Sequence, residues 1–127
     1  MAEPKFVEKE FRGETREVHQ GVRAAIHNST GEILMLYREN EKWDTGWEIV
    51  KGSVEVGESN REAVEREIRE ETGVKYEIMD KREEPFDALI PKENKQDVPV
   101  HSWLYVAEYR GGDIVLGEPE HSEYEWM

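Results

Sequence analysis

The sequence predicts an α+β or mixed α/β fold in which one helix is inserted among five or six strands and the sheet is covered on at least one face. Three observations carry this expectation. Short runs alternate apolar with other residues, most clearly in 98–109; a single segment, 59–73, has the pattern of a capped helix; and Gly- and Asn-containing turns separate the runs. No internal repeat, low-complexity tract or Ser/Gly/Pro linker divides the 127 residues. The chain therefore reads as one domain, residues 1–127, with 1–15 an N-terminal extension or extra strand.

The first strand spans Arg16 to His27, where Val18, Gln20, Val22, Ala24 and Ile26 alternate with His19, Gly21, Arg23, Ala25 and His27. Asn28-Ser29-Thr30-Gly31 supplies a turn, and Ile33 to Tyr37 is expected to return as the other half of an antiparallel hairpin. Residues 39–46 are polar and loop-like, and Trp47 to Val50 is a short apolar strand. A Gly-bounded loop, Gly52 to Gly57, leads to Ser59-Asn60-Arg61-Glu62, which has the form of a capping box. The helix then runs from Asn60 to Thr72, and Gly73 supplies the left-handed residue that stops it. Val74 to Met79 is a strand, Pro85 to Pro91 a short extended piece, and Lys92 to Asp97 a turn. Val98 to Tyr109 is apolar on both faces and belongs in the middle of a sheet. After Gly111-Gly112-Asp113, Ile114 to Leu116 and Tyr124 to Trp126 are short strands.

Composition excludes several classes of function. There are 30 Asp and Glu against 17 Lys and Arg, a formal net charge of −13, which argues against a general nucleic-acid or anionic-membrane binder. No apolar run is long enough to cross a membrane, and Met1 to Phe11 is too charged for a signal peptide, so a soluble, cytoplasmic protein is expected. Without cysteine, disulfides, thiolate zinc sites and Cys nucleophiles are excluded, and a metal must be held by oxygen or histidine. His19, His27, His101 and His121 show no metal-ligand spacing and are expected to be solvated or hydrogen-bonded. Trp43, Trp47, Trp103 and Trp126 are expected to pack in the core or on a sheet face.

The helix carries an excess of acid. Glu62 with Arg66 and Glu65 with Arg69 form (i, i+4) pairs in the favourable order. Glu67, Glu70 and Glu71 share the last turns, where the helix dipole disfavours anions, and no Lys or Arg stands three or four residues from Glu67. Two readings follow: a solvated acidic face, or carboxylate oxygens gathered for a hard cation such as Mg²⁺ or Mn²⁺.

Gly52, Glu58, Arg66-Glu67-Ile68, Glu70-Glu71 and Gly73-Val74 stand at the spacing of the Nudix box. The chain resembles a Nudix (MutT-like) hydrolase, and because the flanking strand order and the approach Trp47 to Lys51 also look like the family, the resemblance is expected to span residues 16–126. The resemblance implies a mixed-sheet sandwich with the box helix packed on it. It also implies Glu67, Glu70 and Glu71 as metal ligands, joined by a backbone carbonyl near Lys51 or Gly52, with Glu67 and Glu71 as catalytic carboxylates. Glu58 and Arg66 match the structural ion pair of the family, and Lys51 and Arg38 are the basic groups expected against substrate phosphates. Glu118, Glu120 and Glu123 are further candidates for the general base.

Two departures stand out: Val50 occupies a position where many members have Pro, and the sequence stops at Trp126-Met127, where the family usually continues into a C-terminal helix, so either the fold lacks that helix or the sequence is a shortened form. The implied activity is Mg²⁺- or Mn²⁺-dependent cleavage of the phosphoanhydride bond in a nucleoside diphosphate linked to another moiety. The alternative is a nucleotide-binding or regulatory domain of the same fold without turnover. Isoprenoid isomerisation would need a Cys that is absent. The implied partner is a nucleotide or nucleoside diphosphate derivative, and a homodimer is left open.

Overall fold

Two sheets and one helix make the architecture. The computed structural model describes the backbone of residues 5–11, 13–39, 45–90, 98–117 and 121–127, and the side chains of these except residues 11, 82–90 and 98. In chain order the elements are β1 (Phe6–Phe11), β2 (Glu14–His27), β3 (Leu34–Arg38), β4 (Gly46–Glu48), β5 (Val50–Ser53), α1 (Asn60–Glu71), β6 (Lys75–Ile90), β7 (Val98–Gly111) and β8 (Glu123–Trp126).

The larger sheet has the order β1-β2-β7-β6, with β5 also on β2. β2 is long enough to pair with β1 through Glu14–His19 and with β5 through Gly21–Ala24. Its other neighbour, β7, runs parallel to it in the register Ala24↔Tyr105 and is flanked on its far side by antiparallel β6. The expectation that 98–109 is a central strand holds, because apolar groups on both its faces need cover. The smaller antiparallel sheet has the order β4-β3-β8.

Several expected elements differ. The hairpin of the first two strands does not form a ladder: β2 and β3 enter different sheets and meet only at the bridge His27↔Ile33. Trp47 to Val50 is not one strand, since the chain changes sheets at Ile49 and leaves Glu48 in one sheet and Lys51 in the other. Ile114 to Leu116 forms no strand; the backbone there crosses the helix end instead, with Val115 N donating to Thr72 O at 2.8 Å. β6 runs on to Ile90 through the piece expected separately at Pro85 to Pro91, while residue 91 and the turn expected at 92–97 lie outside the described residues. Within the N-terminal segment 1–15, Phe6–Phe11 forms an extra strand, β1.

The helix begins as its sequence dictates. Ser59 Oγ accepts from Glu62 N and the Glu62 carboxylate accepts from Ser59 N, both at 3.1 Å. Its buried residues are Ala63, Val64, Ile68 and Glu71. Positions 64, 68 and 71 lie on one stripe, so a carboxylate takes the last place of an apolar face. Val64 and Ile68, fully buried against Val22, Ala24, Ile26, Val50 and Val54, each contribute about 1.5–3 kcal/mol by burial. Gly73 ends the helix at φ 68°, donating to Ile68 O and Arg69 O.

Candidate active site

The site is built where β5 passes beneath α1. Side chains alternate along a strand, so Val50, Gly52 and Val54 face the helix, and Ser53 faces away, its Oγ 2.7 Å from His19 Nε2. Gly52 is the gap in that row. A Cβ built on it would stand 2.1 Å from the Glu67 carboxylate carbon, so the absence of a side chain is what admits Glu67 to the strand. Next to it, Lys51 N donates to Glu71 Oε2 at 3.3 Å. Gly52, Glu67 and Glu71, all named from sequence, therefore meet at one place, whereas Glu70 is exposed and reaches Arg66 instead.

Arg66 organises the rim. Its Nε and Nη2 grip both oxygens of Glu58 at 2.8 and 3.1 Å, and Nη2 also donates to Ser53 O at 2.8 Å. Nη1 reaches Glu67 Oε1 at 2.7 Å and Glu70 Oε2 at 3.2 Å. Those bonds lower the Glu58 carboxyl below its ordinary value, the Arg66 hydrogen bonds outweighing burial. Arg66 in turn is held further above the ordinary arginine range, first by Glu58 against the opposing effect of burial and then by Glu67.

This network corrects the sequence reading in two respects. Arg66 turns to the loop and not to Glu62, whose carboxylate is taken by the capping box. The charge expected to be missing beside Glu67 comes from its immediate neighbour, because a guanidinium with five donors can serve the loop and the helix together. Among the described residues no three His, Asp or Glu side chains are gathered closely enough to hold an ion in this arrangement. Arg66 holds two of the three carboxylates that would have to turn inward for that.

Arg38 and Lys51, named for substrate phosphates, both reach Glu48: Arg38 Nε donates to Oε2 at 3.0 Å and Lys51 Nζ lies 3.2 Å from Oε1. Burial alone would raise the Glu48 carboxyl, but the bonds from His121 and Arg38 and the charges of Lys51 and Arg38 bring it down to about 2. Glu123 is exposed on β8, opposite Tyr37, while Glu118 and Glu120 lie outside the described residues. The sequence reading singled out neither Glu48 nor the buried place of His121. Glu48 had a usable signal, since a carboxylate inside a short apolar strand needs a partner.

The donor chemistry fits a hard divalent cation. Glu67, Glu70 and Glu71 offer only oxygen, and the space over Gly52 brings the Glu67 carboxylate to the strand backbone. Gly52→Ala tests this geometry. The atoms its Cβ would meet are the mobile end of a side chain, so Glu67 is expected to be expelled with the fold kept, at a cost of about 1–2 kcal/mol for the lost bond from Arg66. The unfolding midpoint should then fall by no more than several °C, with the helix content retained.

Two packed sheets with a glycine-opened loop and a carboxylate-bearing helix over one strand define an α/β sandwich of loop-helix type. The NUDIX domain profile matches residues 17–127, and the chain belongs to the Nudix family. It is 32% identical over 105 residues to the CTP pyrophosphohydrolase of Escherichia coli, covering 81% of this chain and 71% of that protein. It is 29% identical over 116 residues to the RNA pyrophosphohydrolase of Roseobacter denitrificans, covering 80% and 71%. Against an uncharacterized Nudix hydrolase of Listeria innocua the identity is 35% over 69 residues, and the match spans 52% of this chain but 41% of the relative. The MutT protein of Methanosarcina mazei superimposes with a TM-score of 0.64 at 32% identity, covering 84% of this chain and 74% of that one. Among the described residues no helix is long and apolar enough to cross a membrane.

Proposed function

We propose that this chain is a metal-dependent hydrolase of phosphoanhydride bonds in a nucleoside diphosphate linked to another moiety. The observation that carries the reading is the meeting of Gly52, Glu67 and Glu71 at one point of β5 and α1. The relatives named as CTP and RNA pyrophosphohydrolases support the reaction class.

Glu67, Glu70 and Glu71, with the backbone carbonyl at Gly52, would hold the cation, Mg²⁺ or Mn²⁺. A cation bound there would neutralise the diphosphate and make a water molecule easier to deprotonate. Glu67 or Glu71 accepts the proton of the attacking water, since both lie over the strand at the loop opening. Lys51 and Arg38 offset the charge of the substrate phosphates, which a chain of net charge −13 otherwise repels. Glu58 and Arg66 fix the loop to the helix, and Arg66 also holds Glu67 Oε1 from the rim. The whole of 1–127 acts as one domain in this reading.

Phosphate or pyrophosphate release from a panel of nucleoside triphosphates, dinucleoside polyphosphates, ADP-ribose and NADH tests it. Turnover is expected with millimolar Mg²⁺ or Mn²⁺, little with Ca²⁺, and none in excess chelator, because the small octahedral ions suit such a site. Full turnover in chelator would overturn the metal assignment. Nucleotide binding without turnover on any of the panel would favour the regulatory alternative.

A further inference from the structure

Glu48 and His121 have no task in the mechanism above, yet they are built into its floor. The His121 side chain is 0% exposed and lies between two carboxylates, with Nε2 2.9 Å from Glu48 Oε2 and Nδ1 3.7 Å from Glu71 Oε1. An ionised carboxylate only accepts, so Nε2 carries the hydrogen of the Glu48 bond and fixes which edge of the ring is turned to Glu71. Glu48 is itself held from its other side by Arg38 and Lys51. Nδ1 makes no hydrogen bond among the described residues.

The backbone that carries His121 is pinned on both flanks. Gly117 N donates to Glu71 O at 3.3 Å and Ser122 N to Tyr37 O at 3.2 Å. A Cβ on Gly117 would stand 2.5 Å from Glu70 O, so only glycine lets the chain pass this close to the helix end. Glu71, 2% exposed in the last turn, faces the unfavourable end of the dipole. Lys51 N donates to its Oε2, and Oε1 is the oxygen that faces His121 Nδ1.

We propose that His121 is a positioning residue for Glu71: held by Glu48, its imidazole sets the direction in which the Glu71 carboxylate is presented to the cation. The assignment rests on the metal-dependent reading above. Partners behind a ligand orient it and set its affinity, as they do at other metal sites.

Mn²⁺ affinity of the full chain, read by electron paramagnetic resonance without substrate, tests it in three variants. His121→Leu fills the space without polar atoms. His121→Gln places an amide near Nε2, toward Glu48, and His121→Asn places one near Nδ1, toward Glu71. The Leu and Gln variants are expected to lose at least about tenfold in affinity and the Asn variant to recover most of it. A merely structural residue would make affinity follow the unfolding midpoint across the three, and that pattern, or wild-type affinity in His121→Gln, overturns the proposal. Glu48→Gln, which loosens the support without touching the ring, should lose affinity in the same direction even where His121 variants fold poorly; wild-type affinity in it overturns the proposal too. In metal-free protein, the unfolding midpoints of His121→Gln, Glu71→Gln and the double variant should be non-additive by at least about 2 °C. Additive midpoints overturn the positioning contact. If wild type binds no Mn²⁺, the metal-dependent reading fails, and the metal-free cycle alone still decides the contact.

Discussion

Glu67→Gln and Glu71→Gln are each expected to lower kcat by about 10²- to 10⁴-fold at saturating Mg²⁺, the scale of losing a positioned acid-base group. The two should part company in stability. On sequence alone, removing one of three clustered anions would leave the metal-free protein unchanged or slightly firmer. Arg66 alters that expectation for Glu67, whose Oε1 accepts from Nη1 at 2.7 Å and whose loss weakens a charge-assisted bond. Glu67→Gln should therefore cost about 1–2 kcal/mol without metal. Glu71→Gln keeps an oxygen for Lys51 N and relieves a buried anion at the wrong end of the dipole, so its unfolding midpoint should equal or exceed that of wild type. Equal turnover in wild type and either variant would remove that residue from the chemistry, whatever its effect on the midpoint.

How far the site was legible in the sequence depends on how local each contact is. Ser59, Glu62 and Gly73 act within a few residues of themselves, so the cap, the span and the stop of α1 could be read directly. The Gly52 to Val74 spacing gave the family because a loop-helix unit keeps its ligands at fixed offsets. Arg66 was less legible, since a long side chain chooses among Glu58, Glu62, Glu67 and Glu70, and only the packed loop shows that the capping box has already taken Glu62. The meeting of Glu48 and His121 spans 73 positions of sequence and depends on the chain changing sheets at Ile49. The missing β2-β3 hairpin has the same origin: a good turn at 28–31 fixes a reversal, but which sheet the returning strand joins is decided by β8 and β4. Periodicity reports which faces are apolar and carries no information on which distant strand will cover them.

Removing Arg66 is expected to produce the largest loss of stability among the described ion pairs. Its side chain is 14% exposed and serves Glu58, Ser53 O, Glu67 and Glu70 at once. Arg66→Met leaves the Glu58 and Glu67 carboxylates, also largely buried, without their main donor, and breaking one side of such a pair costs about 3–5 kcal/mol. For a chain of this size that corresponds to a fall of roughly 10 °C or more in Tm. Arg66→Lys keeps the charge but loses the planar fork that binds Glu58 with two nitrogens, and should fall between wild type and Arg66→Met. Glu58→Gln retains an acceptor for Nε and the loop bond to Glu55 N, so about 1–2 kcal/mol is expected. Millimolar Mg²⁺ separates the rim from the site. Because Arg66 also neutralises Glu67 and Glu70, its loss leaves excess negative charge over Gly52, and a bound cation should raise Tm more in Arg66→Met than in wild type or in Glu58→Gln. A Tm for metal-free Arg66→Met within about 2 °C of wild type would show that this guanidinium is a surface group, and the loop would then have to be held by the Gly52 to Val54 backbone alone.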